Sequence, residues 1–114
     1  MSSTTWLLRD GVVLANAEVA ATSGERFRGL LGRSGVAGAL LIPRTRSVHS
    51  FGMRFAIDVA FLDRAMRVID TVCLDPWRMT LPRLRARAVL EAEAGAFERW
   101  GLRRGDTLEL RDPS

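Results

Sequence analysis

The stretch FAIDVAFLD, residues 55–63, alternates side chains with a period of two. Phe55, Ile57, Val59 and Phe61 fall on one face of an extended chain, while Ala56, Asp58, Ala60 and Leu62 fall on the other. Successive side chains of a strand point to opposite faces, whereas a helix would scatter the four large residues around its axis. A core strand in mid-chain commits the flanking segments to a sheet, and they comply. WLLRDGVVL (6–14) sets Asp10-Gly11 between two apolar runs, a strong hairpin signal. EVAAT (18–22) continues in extended form, and ALLIP (39–43) is a short apolar strand stopped by Pro43. RVIDTVCL (67–74) follows 55–63 across a tight DRAM connection, AVLEAEAG (88–95) begins as a strand, and RRGDTLELR (103–111) is a turn leading into a last strand.

Two short helices interrupt this pattern. In TSGERFRGLLGR, Thr22 and Glu25 form a capping box, Phe27, Leu30 and Leu31 share a face, and Gly32 can end the turn. AGAFERWG (94–101) reads as a helical turn closed by Gly101. The expected fold is mainly β: a compact β-sandwich or barrel-like domain of about seven short strands, with two short helices near 23–32 and 94–100. A chain of 114 residues supports one core, so residues 1–114 are expected to form one domain.

Composition narrows the partners. All 17 basic residues are arginine, against 13 acids, for a net charge of +4. No run approaches the ~18 apolar residues of a membrane span, and the N-terminal stretch lacks the pattern of a secretion signal, so a cytoplasmic location is expected. One cysteine, Cys73, cannot form an internal disulfide. Between Val72 and Leu74 it reads as a packed, inert thiol. One cysteine and one histidine cannot supply a closed zinc site, and neither a metal nor a cofactor is expected. Phosphate loops, dinucleotide fingerprints and nucleophile elbows are missing from the sequence.

Polar residues in otherwise structural segments mark the candidate site. His49 is the only histidine, and Asp58 sits among alanine and leucine on its strand face, where it meets either a cavity or an arginine. The loop DPWRMTLPRLRAR (75–87) carries Arg78, Arg83, Arg85 and Arg87 beside Trp77, a combination of charge and stacking that suits single-stranded nucleic acid. Its spacing matches no docking motif, and nucleic acid is the less expected partner.

Four motifs in order, ERFRGLLGR (25–33), HSFGMRFAIDVAFLD (49–63), VLEAEAG (89–95) and WGLRRGD (100–106), resemble the prokaryotic family known as domain of unknown function 192, over about residues 17–111. The resemblance implies a compact β-sandwich-like fold with short helices and brings no established activity. It points to Arg26, Arg28 and Arg33, to His49, Met53 and Asp58, and to Glu91 and Asp106 as the places where the motifs converge. The expected function is a small-ligand-binding module with a polar pocket near His49, Met53 and Asp58, to which Arg26, Arg28, Arg33 and Glu91 contribute. The ligand is expected to be small and anionic. The alternatives are a small hydrolase with Asp58 or His49 as general base, and a nucleic-acid or protein interaction through the Trp77–Arg87 loop.

Overall fold

A computed structural model describes residues 4–19 and 38–112. Seven strands run as β1 (Thr4–Arg9), β2 (Val12–Val19), β3 (Gly38–Pro43), β4 (Ile57–Leu62), β5 (Val68–Leu74), β6 (Ala88–Glu93) and β7 (Leu108–Arg111), with one described helix, α1 (Ala96–Trp100). The helix expected near 23–32 lies outside the described residues. The strands form one sheet in the order β5-β4-β6-β3-β2-β1-β7, curled into a half-barrel. The mainly β expectation holds, and of its two forms the barrel-like one is realised.

The hairpin at Asp10-Gly11 has positive φ at both residues (52° and 78°), the backbone that an Asp-Gly pair accepts at little strain. β2 and β3 pair in parallel, whereas every other strand pair is antiparallel. A parallel pair needs a long crossover, and residues 20–37 provide that length. The sheet's two edges meet at one end, where Arg67 and Thr107 form an antiparallel bridge. There the Val68 N–H donates to the Asp106 carbonyl (2.8 Å) and the Leu108 N–H to the Met66 carbonyl (2.9 Å).

Both faces of the central strands β3, β4 and β6 are buried. On one face Leu7, Leu41, Leu62, Leu90 and Leu108 form a core with Ala96 and Phe97 of α1. On the other, Leu40, Ile42, Ile57, Val59, Phe61 and Val89 pack against Val48, Met53 and Ala86 from the loops 44–56 and 75–87. The alternation read in 55–63 is therefore correct in register: Ile57, Val59 and Phe61 share the second core, and Ala60 and Leu62 belong to the first. Every β4 residue is buried, as expected for a strand covered on both faces. Among the described residues no helix is long and apolar enough to cross a membrane.

Candidate functional site

Of the residues singled out in the sequence, those that are described, His49, Met53, Asp58 and Glu91, do not line one pocket. Asp58 projects from β4 toward the first core and is 7% exposed. Its Oδ2 accepts the N–H groups of Gly95 (3.0 Å) and Phe97 (3.1 Å), so it caps the start of α1. Among the described residues no arginine pairs with it. Its carboxylate only edges a shallow depression shared with Thr71, Cys73 and Glu98. Cys73 lies opposite Asp58 on edge strand β5 and is exposed, which corrects the expectation of a packed thiol. Its pKa is raised, first by partial desolvation, then by the charges of Asp58 and Asp75 and a hydrogen bond to Asp58. The raised pKa keeps the thiol protonated and a poor nucleophile.

His49 and Met53 belong to the loop that covers the opposite face. Met53 is buried in the second core, so it fills apolar space and lines no polar pocket. His49 is exposed, bridges Met79, and accepts the Phe51 N–H at Nδ1 (3.3 Å). With His49 over one face of the sheet and Asp58 on the other, the pair cannot share a substrate. A hydrolytic site built on both receives no support from this geometry. Glu91 is fully buried on β6, directly between Leu40 of β3 and Val59 of β4. Neither of its carboxylate oxygens has a hydrogen-bond partner among the described residues. Burial pushes its pKa up to about 8. Arg26, Arg28 and Arg33 lie outside the described residues. Asp106 turns the chain into β7: its Oδ2 accepts the Arg103 N–H (2.8 Å) and Arg9 Nη1 (3.2 Å), while Arg9 also donates to the carbonyls of Trp100 and Gly101.

What the fold does assemble is a cleft beside the seam where β5 and β7 meet. Its volume is about 780 Å³. Three stretches far apart in sequence supply its rim: Arg67 before β5, Pro82–Arg85 in the 75–87 loop, and Arg104-Gly105 in the turn before β7. Arg83 is structural, since its Nε donates to Asp70 Oδ2 (2.9 Å) and its guanidinium covers the Phe61 ring at 4.5 Å. Asp63 is engaged locally, with Oδ1 accepting the N–H groups of Ala65 and Arg67. Arg67, Arg85 and Arg104 are exposed and make no side-chain hydrogen bond or ion pair with the described residues. A Cβ on Gly105 would come to 4.0 Å from Arg67 Nη2, so this guanidinium lies beside the turn. Sequence reasoning missed Arg67 and Arg104, because nothing local distinguishes them from other surface arginines. Only the RGD turn at 104–106 hinted at a fixed backbone there.

A second feature lies on the loops over the opposite face. The rings of His49 and Phe51 stack at 4.8 Å between centroids, with 24° between planes, and Phe51 and Trp77 follow at 6.3 Å and 30°. Buried Ser50 locks the two loops together. Its N–H donates to the Arg78 carbonyl (2.8 Å), its Oγ donates to the Asp75 carbonyl (2.5 Å), and its own carbonyl accepts the Trp77 N–H (3.1 Å). Trp77 holds a left-handed backbone (φ 62°) yet is 66% exposed.

A curled, largely antiparallel sheet with a cleft beside its seam defines a β half-barrel module. The family model of DUF192, an uncharacterised group, matches residues 6–110, and the chain belongs to that family. Curated relatives carry the name UPF0127. A protein of Thermococcus sibiricus is 35% identical over 81% of this chain and 64% of its own length. One of Pyrococcus horikoshii is 46% identical over 46% of this chain and 45% of its own length. The chain thus spans about half to two thirds of the length of these relatives. Among solved structures, a protein of unknown function from Novosphingobium aromaticivorans superposes with a TM-score of 0.64 at 24% identity, covering 93% of this chain and 83% of that one. A Sinorhizobium meliloti protein, described only as a candidate transcription regulator, gives 0.71 at 22% identity over 96% and 94%. At these identities the likeness concerns the fold.

Proposed function

We propose that this protein is a binding module for an anionic ligand, held in the cleft at the β5/β7 seam. The observation that carries this reading is the convergence of Arg67, Arg85 and Arg104, none of them in an ion pair with an acid among the described residues, on one concave surface. Guanidinium groups present forked donors that match phosphate and carboxylate oxygens, and like charges gathered at a low-dielectric wall raise the local concentration of anions. Clefts at the mouths of barrels are also common ligand sites. This moves the expected anion site from the neighbourhood of His49 and Asp58 to the seam. The free, exposed Cys73 suits a reducing compartment, in keeping with a cytoplasmic location.

The test is calorimetric titration with inorganic pyrophosphate as probe, together with thermal unfolding at rising concentrations. Bound ligand stabilises the native state by RT ln(1 + [L]/Kd), about 2.7 kcal/mol at a hundredfold excess over Kd. Arg67→Ala and Arg104→Ala should each weaken binding at least tenfold, while Arg111→Ala, whose side chain pairs with Glu109 away from the cleft, should leave it unchanged. Absence of any shift in the wild type, or equal loss in all three variants, would sink the reading.

A further inference from the structure

The ring column and the arginine cleft belong to one strip of surface. β5 begins beside the cleft at Val68 and ends at Leu74, two residues before the turn that carries Trp77. The 75–87 loop then returns along the strand, because Arg83 is tied to Asp70. Seven strand residues at ~3.3 Å each place the rings about 20 Å from the cleft. Between these ends the loop exposes Arg78, Met79 and Leu81, with Asp75 the acid beside the rings.

We infer that the anionic ligand of the cleft is single-stranded nucleic acid, with its phosphates on Arg67, Arg85 and Arg104 and its bases stacked on the His49–Phe51–Trp77 column. The inference rests on the anion-binding reading of the cleft and adds the identity of the ligand. Each part of the strip has a job in such a complex. Non-specific single-strand binders combine a cationic track for the backbone with aromatic faces for successive bases. The column is not a chance collapse of apolar side chains, since Ser50 fixes both loops by backbone-directed hydrogen bonds and leaves the rings in solvent. Trp77 carries the argument furthest. A left-handed backbone is unfavourable for a bulky residue, and a 66% exposed indole gains little by burial. Glycine would suit that turn better, so the indole is best accounted for by what it offers outward. Charge complementarity selects the class of partner: a polyanion with planar, uncharged groups at regular intervals meets arginines at one end and rings at the other. A duplex hides its base faces and would engage only the arginines. An acidic peptide offers charge without rings to stack.

The test is fluorescence anisotropy with a labelled twelve-residue oligothymidylate, from 20 to 200 mM salt, against a duplex of the same length, a polyglutamate peptide and inorganic pyrophosphate. The oligonucleotide should bind most tightly, and log K should fall with log salt at a slope of about −2, near −0.7 for each of three phosphate contacts. Trp77→Ala should weaken it at least fivefold without altering the slope, whereas Arg85→Ala should flatten the slope by about 0.7. Trp77→Gly serves as a second variant, since it removes the indole while relieving the backbone. If pyrophosphate binds and the ring variants have no effect on the oligonucleotide, the cleft reading survives and this inference fails. Equal binding of polyglutamate or duplex overturns it as well. If no anion binds, both readings fall together.

Discussion

Glu91 offers the sharpest test of the structure, because its predicted effect has a sign, a window and a size. It is fully buried between Leu40 and Val59, with both carboxylate oxygens unpartnered among the described residues. An ionised carboxylate there would lose its hydration and gain nothing in return, so the fold favours the protonated acid. Desolvation raises its pKa from 4.5 to about 8. A group whose folded pKa is raised holds its proton more tightly in the native state. Its contribution to stability is therefore greatest at and below pH 4.5, declines as pH rises, and levels off above about 8. Each pH unit inside the window corresponds to about 1.4 kcal/mol, which gives a total on the order of 5 kcal/mol and about 3 kcal/mol by pH 7.

Glu91→Gln isolates this contribution, since the amide has nearly the same shape and does not titrate. Urea unfolding of both proteins at several pH values between 4.5 and 8.5 should show the variant gaining on the wild type as pH rises. The gain at pH 7 relative to pH 4.5 should be on the order of 3 kcal/mol. Burying the amide adds an offset that does not depend on pH, so the slope of the difference is the observable. All other titrating groups are common to both proteins and cancel. Parallel curves would refute the reasoning: they would mean that a cation meets Glu91 and holds it ionised, and Arg26, Arg28 and Arg33 would be the groups to replace one by one.

Substitutions at three further positions test the frame around the site. Phe61→Ala, at a fully buried ring that also lies beneath the Arg83 guanidinium, should destabilise by about 3–5 kcal/mol in urea unfolding, and Ile57→Ala by about 2–5 kcal/mol; a change below 1 kcal/mol in either would show the register of β4 to be wrong. Asp58→Ala should strip the Gly95 and Phe97 N–H groups of their acceptor and lower stability by about 2–4 kcal/mol, whereas Asp58→Asn keeps an acceptor oxygen and should recover most of the loss. If asparagine is as harmful as alanine, the negative charge matters and the capping account is incomplete.

These residues also show which parts of the molecule sequence can disclose. The Asp10-Gly11 turn and the alternation of Ile57, Val59 and Phe61 were legible because their causes are local: two residues that accept positive φ, and a period fixed by the pleat. Asp58 was legible only as unusual. Its two N–H partners lie 37 and 39 residues further along the chain, and a helix of five residues gives no signal that it needs a cap from another element. Glu91 was visible only through the motif VLEAEAG, where a carboxylate inside a strand is ordinary. Its burial depends on β3 and β4 flanking β6, a pairing order that chain position does not reveal.

The seam cleft marks the same limit from the other side. Arg67, Arg85 and Arg104 belong to three unrelated segments and become one surface only because the sheet curls far enough for Arg67 to bridge Thr107. Curl is a sum of small twists over seven strands, sharpened by a bulge at Leu14 of β2, opposite Leu7/Leu8, and another at Ile69 of β5, opposite Phe61/Leu62. A site made by closure is thus the kind that periodicity and motif spacing pass over. By contrast, the strand that first revealed the fold, β4 with Ile57, Val59 and Phe61, sits at the sheet's interior, where β5 and β6 pair with it on both sides and leave no edge for a ligand; Phe55 precedes it and packs against the second core. The residues that most firmly specify this architecture are the ones it buries, and the cleft proposed to hold an anion lies at the margin where the sheet's two edges come together.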